Sequence, residues 1–243
     1  MSAGVLLAIA GWGLGGFVNG YMGFGAALIA MPLVALGNDM ALALPACSLL
    51  VLSLNIQMTW KYRRSIDRKP VWLMLTGAVP GAGLGLALLR FASEAGLKLG
   101  LGVLLLCCAA WGLCPSRERH GGLAAGWGVL AGLLSTCFGT AFGINGPPPA
   151  AYMALRGGSQ AETKGALGFF FVWSTLCIVG AQFLAGMFSL QAMALAGIEL
   201  PVMLVCSLCG MRLSARLGTA TFHRMMAGLL LVMGCKLIWT GLA

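Results

Sequence analysis

The chain has 243 residues, of which 60% are hydrophobic and only 9% are charged, and its formal net charge is +9. A soluble domain carries roughly 25% charged residues, so this composition excludes an ordinary globular protein. Apolar runs of about 20 residues recur from end to end, a pattern that predicts a helical membrane protein with several spans and not a barrel. The first run has no positively charged segment before it, so we expect no cleaved signal peptide.

The positive charge does not require a nucleic-acid partner. The basic residues lie in short segments between apolar runs, as the positive-inside rule predicts for a membrane protein. The nine cysteines include a single C-x-x-C, CSLC, and cysteine packs as a small hydrophobe. We therefore expect no metal and no other cofactor. Hydrolase, metalloprotease and nucleotide-binding motifs are missing from the sequence, which predicts that the protein is not an enzyme.

Taken in chain order, the apolar runs form the same series twice. In residues 1–113 a long interrupted region at 5–36 is followed by three helices, at 40–60, 70–90 and 96–113. In residues 121–243 a second interrupted region at 123–155 is again followed by three helices, at 165–185, 190–209 and 221–242. We expect the two series to form a single transport domain.

The distribution of Lys and Arg indicates how the long regions cross the membrane. If each crosses once, eight of the 15 basic residues lie on one side and seven on the other. If each is a re-entrant hairpin that enters and leaves on the same side, twelve lie inside and three outside (Arg90, Lys98, Lys236). Because cytoplasmic loops are enriched in Lys and Arg, the hairpin arrangement is favoured.

A hairpin plus three crossings is an odd number of spans, so the two halves are expected to be inverted. The halves also align weakly: NGYMGFGAALIAMP matches STCFGTAFGINGPP, which pairs Gly23 with Gly139, and Pro80 pairs with Pro201. The predicted fold is an all-α polytopic membrane protein with two inverted repeats, each a re-entrant or broken hairpin plus three transmembrane helices. Many secondary transporters have this architecture.

The breaks at 19–26 and 138–149 are the best candidates for a functional site. Irregular backbone inside a membrane is tolerated only where it is buried in protein or lines a wet cavity. Proline suits the first turn of a helix, so NGPPPAAYMAL predicts a half-helix that begins at Pro147 or Pro148. The free amides and positive dipole end of a helix start attract anions. Two inverted hairpins would bring two such starts together at the midplane.

We therefore predict an anion site built from uncharged groups, with Lys164 as a first contact from the cytoplasm. The predicted substrate-binding residues are Asn19, Gly23, Gly25, Ser48, Asn55, Gly139, Thr140, Gly143, Asn145, Gly146, Pro147 and Lys164. The alternatives are that the glycines only permit close helix packing, that Ser and Asn only join neighbouring helices, and that Lys164 only marks a cytoplasmic loop.

Glu199 is the one carboxylate expected near mid-depth, nine residues into a helix that runs inward from the outer side. An ionisable residue there is a functional hypothesis by default. One interpretation is proton coupling, since a carboxylate on the path of an anion would repel it unless protonated. The other is a structural pair with Lys236, which lies at similar depth.

The sequence as a whole resembles the sulfite exporter TauE/SafE family of bacterial anion permeases. The resemblance rests on the order GYMGFGAALIAMPLV, ALALPACSLLVLSLN, KYRRSIDRK, GAVPGAGLG, NGPPPAAYM and AETKGALGFFF, and it covers nearly the whole chain. It implies transport of sulfite, organosulfonates or related sulfur and carboxylate anions across the bacterial inner membrane. Two positions depart from the family: Ala46-Cys47-Ser48 replaces a common Thr-Ser pair, and Lys164 replaces a common Arg.

The expected function is a multi-pass secondary transporter, an exporter of a small sulfur oxyanion, with proton coupling as an open option. The alternative is a carboxylate or other small-anion permease or channel on the same scaffold. A cation permease is disfavoured because the six acidic residues avoid both breaks. The expected partners are the anion and the lipid bilayer; the oligomeric state, a homodimer included, is left open.

Overall fold

The computed structural model describes residues 3–91, 93–113, 125–156 and 159–214, together with 231–232, 234–235, 238–239 and 242. Within these residues the regular structure is entirely helical. Six of the described helices are long and apolar enough to cross a membrane: Gly4–Met22, Met40–Ser65, Arg68–Phe91, Ala125–Phe142, Ala161–Leu184 and Leu190–Leu213. Large apolar side chains such as Phe91 and Leu184 are almost fully exposed, as expected for surfaces that face lipid. The chain is a multi-pass membrane protein.

The described helices are α1 (Ala3–Met22), α2 (Ala26–Val34), α3 (Met40–Tyr62), α4 (Arg68–Phe91), α5 (Glu94–Leu113), α6 (Ala125–Phe142), α7 (Pro147–Arg156), α8 (Gln160–Leu184) and α9 (Leu190–Leu213). A short 3-10 turn, Arg63–Ser65, joins α3 to α4. Serine caps start the two long helices of the second half: Ser159 and Glu162 form a capping box at α8, and Ser189 caps α9. The predicted helix at 221–242 lies for the most part outside the described residues, as does Lys236.

Both long interrupted regions are broken helices. In each, the helix before the break, here called the first arm, is α1 or α6. The arm is followed by a glycine of positive φ, 93° at Gly23 and 74° at Gly143, a conformation that strongly favours glycine. The Gly23 amide donates to the Asn19 carbonyl, and the Gly143 amide donates to the Gly139 carbonyl. Gly23 and Gly143 therefore have the same local geometry. The sequence alignment pairs Gly23 with Gly139, one helical turn before Gly143, because loosely spaced glycines do not define a register.

Each broken helix returns to the end of the bundle at which it starts. The Asn38 side chain, after α2, donates to the Gly4 carbonyl at the start of α1 at 3.3 Å. Tyr152 of α7 likewise packs against Gly128 near the start of α6. Arg156, the last residue of α7, forms a 3.2 Å ion pair with Asp67 beside the basic loop that follows α3. The second broken helix therefore starts and ends at the same end as that loop.

The first arm of each broken helix packs on a helix from the other half of the chain. The helix pairs α1–α9 and α4–α6 run parallel and approach so closely that a Cβ would have no room at several glycines. Gly20 lies against the Ser207 carbonyl, and Gly132 lies against the Met74 carbonyl. Small residues allow this approach in membranes. Helices α3 and α8 pack antiparallel between these pairs, with Gly168 against Met58.

Candidate functional site

The two turns of the broken helices touch each other inside the bundle. A Cβ placed on Gly146 would lie 3.1 Å from the Phe24 ring and 3.7 Å from the Gly25 nitrogen. Between the turns lies a cavity of about 310 Å³, its open mouth included. Its lining comprises Asn19, Phe24, Gly25, Ala26, Ala27, Leu28, Val51, Leu54, Asn55, Ile144, Asn145, Gly146 and Phe171.

A smaller cavity, about 180 Å³ with its open mouth included, adjoins the first and shares Val51 and Asn145 with it. Its other lining residues are Cys47, Ser48, Gly139, Gly143, Thr175 and Ile178. The Cys47 thiol donates to the Gly143 carbonyl at 3.4 Å and so joins α3 to the second turn. Asn145 therefore lies where the two cavities meet.

Amide side chains converge on a hydroxyl at the centre of the site. The Nδ2 atoms of Asn55 and Asn145 each lie 3.4 Å from the Thr175 Oγ1. The Asn145 carbonyl accepts a 2.6 Å hydrogen bond from the Ser135 hydroxyl, which fixes the backbone of the second turn. All four side chains are more than nine-tenths buried.

Asn19 completes the polar lining from the last turn of α1. It is 4% exposed, and its Nδ2 has no hydrogen-bond partner among the described residues. An unpaired buried donor costs about 1–3 kcal/mol. An unsatisfied amide on the wall of a cavity is therefore well placed to donate to a bound ligand.

The two half-helices present different groups to the cavity. The first begins after Gly25 with no side-chain cap, and the leading residues of a helix have free N–H groups, here at Ala26 and Ala27. The second begins with Pro147, Pro148 and Pro149, which have no N–H at all. The expectation of two similar helix starts, each offering amides, was therefore wrong for the second one, where the available donors belong to the residues just before the prolines.

The structure brings eight of the twelve predicted residues to the cavities. Asn19, Gly25, Asn55, Asn145 and Gly146 line the larger one, and Ser48, Gly139 and Gly143 line the smaller one. The remaining four, Gly23, Thr140, Pro147 and Lys164, line neither. The Thr140 hydroxyl donates to the Thr136 carbonyl of its own helix at 2.9 Å.

Lys164 contacts the first turn from outside the cavities. Its side chain is buried, packs against Gly23, and donates from Nζ to the Tyr21 carbonyl at 2.8 Å. That carbonyl lies at the C-terminal, negative end of α1, where a cation is stabilising. The Nζ atoms of Lys164 and Lys61 lie 5.8 and 5.7 Å from the centre of the Tyr62 ring. Lys164 thus stabilises the first turn from the side of the basic loop that follows α3.

Two residues of the smaller cavity, Thr175 and Cys47, are not among the residues predicted from the sequence. Thr175 follows Gly143 by the same number of residues as Asn55 follows Gly23. An alignment that pairs Gly23 with Gly143 places Thr175 opposite Asn55. It would therefore predict Thr175, a polar residue in the middle of an apolar helix, as a site residue. Nothing local in the sequence marks Cys47 as a contact of the second turn.

Glu199 lies in α9, fully buried, and neither carboxylate oxygen has a hydrogen-bond partner among the described residues. Its helix packs against α3, which carries Cys47 and Ser48 in the wall of the smaller cavity. The proposed pair with Lys236 lies outside the described residues. Within the part of the chain that the structure describes, no group of three His, Cys, Asp or Glu side chains could hold a metal ion.

Long apolar helices around two helix breaks and a buried polar cavity define a membrane transport protein. A comparison with protein families matches residues 7–237 to the sulfite exporter TauE/SafE family, and the chain belongs to that family. At family level these proteins are membrane transporters of sulfur anions and not enzymes. The resemblance found in the sequence is thereby confirmed. Searches of curated proteins and of solved structures found no match.

Proposed function

We propose that the protein is a secondary transporter that exports a small sulfur oxyanion, such as sulfite or an organosulfonate, across the bacterial inner membrane. The anion binds between the two turns, where the Asn145 side chain and the first amides of α2 donate to its oxygens. The observation that carries the proposal is Asn19, a buried amide without a partner that lines the cavity between two helix breaks.

The helix pairing supports the proposal that residues 1–113 and 121–243 are inverted repeats. Packing of α1 on α9 mirrors packing of α6 on α4, and α3 packs on its own counterpart α8. The Arg156–Asp67 ion pair supports a second hairpin that enters and leaves on the side of the basic loop, which we assign to the cytoplasm. Alternating access would then arise from movement of the two halves around the turns.

We further propose that Glu199 couples anion export to proton movement. A charged carboxylate without a partner is costly in a buried site, and uptake of a proton removes that cost. Because α9 packs against α3, whose Cys47 contacts the second turn, the charge state of Glu199 can influence the anion site.

Ligand-dependent thermal stabilisation of the purified protein tests the proposal, since binding to the folded state raises its stability. The panel is sulfite, thiosulfate, sulfoacetate, taurine, sulfate and acetate. We expect at least one sulfur oxyanion to stabilise the wild-type protein and Asn145→Leu to remove that stabilisation while the variant stays folded. Asn38→Ala, which lies beyond the far end of α2, is the control and should keep it. Unchanged stabilisation of Asn145→Leu would refute the site, and stabilisation by acetate alone would favour a carboxylate permease.

A further inference from the structure

Every residue that lines the two cavities is uncharged. Among the described residues, three titratable groups bear on the cavities: Cys47 of α3 in the wall of the smaller one, Glu199 of α9, whose helix packs on α3, and Lys164 of α8, which is bonded to the first turn. A site for an anion has therefore been built without a cation in its lining. The balance of partial charges then decides which anions it accepts.

The positive field in the larger cavity comes from helix ends. Its lining includes residues 25–28 at the start of α2 and residues 144–146 just before the start of α7. A helix start with free N–H groups is equivalent to about half an elementary charge. The α7 start, whose leading prolines have no N–H, supplies less, so the two together stay below about one. The unpartnered Asn19 amide adds a hydrogen-bond donor at the same place but no net charge.

The negative helix ends at the same turns are bonded by different groups, a cation at α1 and a neutral thiol at α6. Lys164 donates to the carbonyl of Tyr21 at the end of α1, and Cys47 donates to the carbonyl of Gly143 at the end of α6. The Lys164 charge is thus used by the α1 terminus. Glu199, when ionised, adds a negative charge on α9, which packs on the α3 wall of the smaller cavity.

The free energy needed to move an anion from water into a buried site grows with the square of its charge. A dianion therefore costs about four times as much to bury as a monoanion of the same size, while its attraction to the helix ends only doubles. A field of at most about one positive charge compensates no more than one negative charge and leaves a second one unpaired in a buried site.

We propose that the site selects singly charged oxyanions, namely short organosulfonates and hydrogensulfite, and rejects dianions such as sulfate and fully ionised sulfite. The lining also suits the apolar carbon group of a short organosulfonate, because Phe24, Leu54 and Phe171 add apolar surface beside the donors. This inference rests on the proposed function, since it assigns the charge of the anion held at the same turns.

The test compares methanesulfonate, sulfate and sulfite by isothermal titration of the purified wild-type protein through neutral pH. Methanesulfonate stays a monoanion over this range, whereas sulfite changes from monoanion to dianion near neutrality. We expect sulfate to bind at least about a hundredfold more weakly than methanesulfonate. The affinity for total sulfite should fall about tenfold for each pH unit above the second pKa of sulfite. Methanesulfonate reports any pH effect that arises from Cys47, Lys164 or Glu199, so the ratio of the two affinities isolates the ligand charge.

Two outcomes would overturn the inference: sulfate binding within tenfold of methanesulfonate, or a methanesulfonate-to-sulfite affinity ratio that does not change with pH. Both would leave the proposed function intact, provided that Asn145→Leu still abolishes binding. If none of the three anions binds, or if Asn145→Leu binds them normally, the proposed site itself fails. The two failures are therefore distinguishable.

Discussion

The two turns at the centre of the molecule have the same backbone plan and different chemistry. The first carries two glycines of positive φ, Gly23 and Gly25, and leads into a half-helix with free amides. The second carries one such glycine, Gly143, and places Asn145 shortly before a helix start that has no amides. In the proposed site the first turn therefore offers main-chain amides together with the Asn19 side chain, and the second turn offers the Asn145 side chain. The same fold position can supply a donor in either way.

The turns also differ in stiffness. Proline restricts the backbone of Pro147 to Pro149, and the Ser135 hydroxyl holds the Asn145 carbonyl at 2.6 Å. The first turn has glycines in place of prolines and is held by Lys164 through the Tyr21 carbonyl. The second turn therefore has fewer backbone conformations available to it than the first.

The largest effect is expected where a side chain does the binding. Asn145→Ala removes the donor of the second turn and should lower anion affinity by about tenfold to a hundredfold, since a hydrogen bond to a charged group contributes about 1.5–3 kcal/mol. Adding Pro148→Ala gives α7 an N–H and should recover part of the affinity. Isothermal titration of the single and the double variant measures the anion affinity of each. If Asn145→Ala binds as well as the wild type, the contrast between the turns is mistaken.

A smaller effect is expected from loss of the cation that holds the first turn. Lys164→Met breaks the bond to the Tyr21 carbonyl and should destabilise the protein by about 1–3 kcal/mol. Hydrogen exchange should accelerate in residues 19–25 and not in residues 143–146. Lys61→Met, which contacts the same Tyr62 ring, is the control and should change neither segment. Lys164→Arg should restore protection; equal acceleration in both turns would contradict a specific role.

Two glycines offer a matched pair for the backbone of the first turn. Gly25 (φ 98°) and Gly186 (φ 69°) both have positive φ, and neither has an atom within 3.4 Å of an added Cβ. Alanine should destabilise the protein by about 1–2 kcal/mol at either position. Only Gly25→Ala should also weaken anion binding, because only Gly25 lies at the start of α2 in the cavity. Loss of binding in both variants would indicate a global effect.

The smallest effect on binding is expected from Glu199→Gln, which keeps the shape of the side chain and removes its charge. Anion affinity at one pH should change little, and the dependence of transport on a pH gradient should disappear. Transport into proteoliposomes with and without a gradient provides the measurement. A variant that still responds to the gradient would show that Glu199 has a structural role only.

The sequence is most informative where local chemistry limits the backbone. The run NGPPP allows few conformations, so the break at this position follows from the sequence alone. Asn19, Asn55 and Asn145 are predictable for a related reason, as polar residues in apolar runs. The role of Lys164 is not predictable, because its partner is a carbonyl of Tyr21, which is 143 residues away in the chain. The pairing of α1 with α9 is also hidden, since glycines alone do not say which helix they meet.

The contact between α1 and α9 imposes an order on the assembly of the protein in the membrane. Helix α6 is synthesised after α4 and can pack on it as soon as it is inserted, whereas α1 has to wait until α9, which begins at Leu190, has left the ribosome. Until then its glycine face is open to lipid or to a chaperone. A truncated chain that stops before Leu190 should therefore retain the α4–α6 unit while its first hairpin becomes a target for membrane proteases.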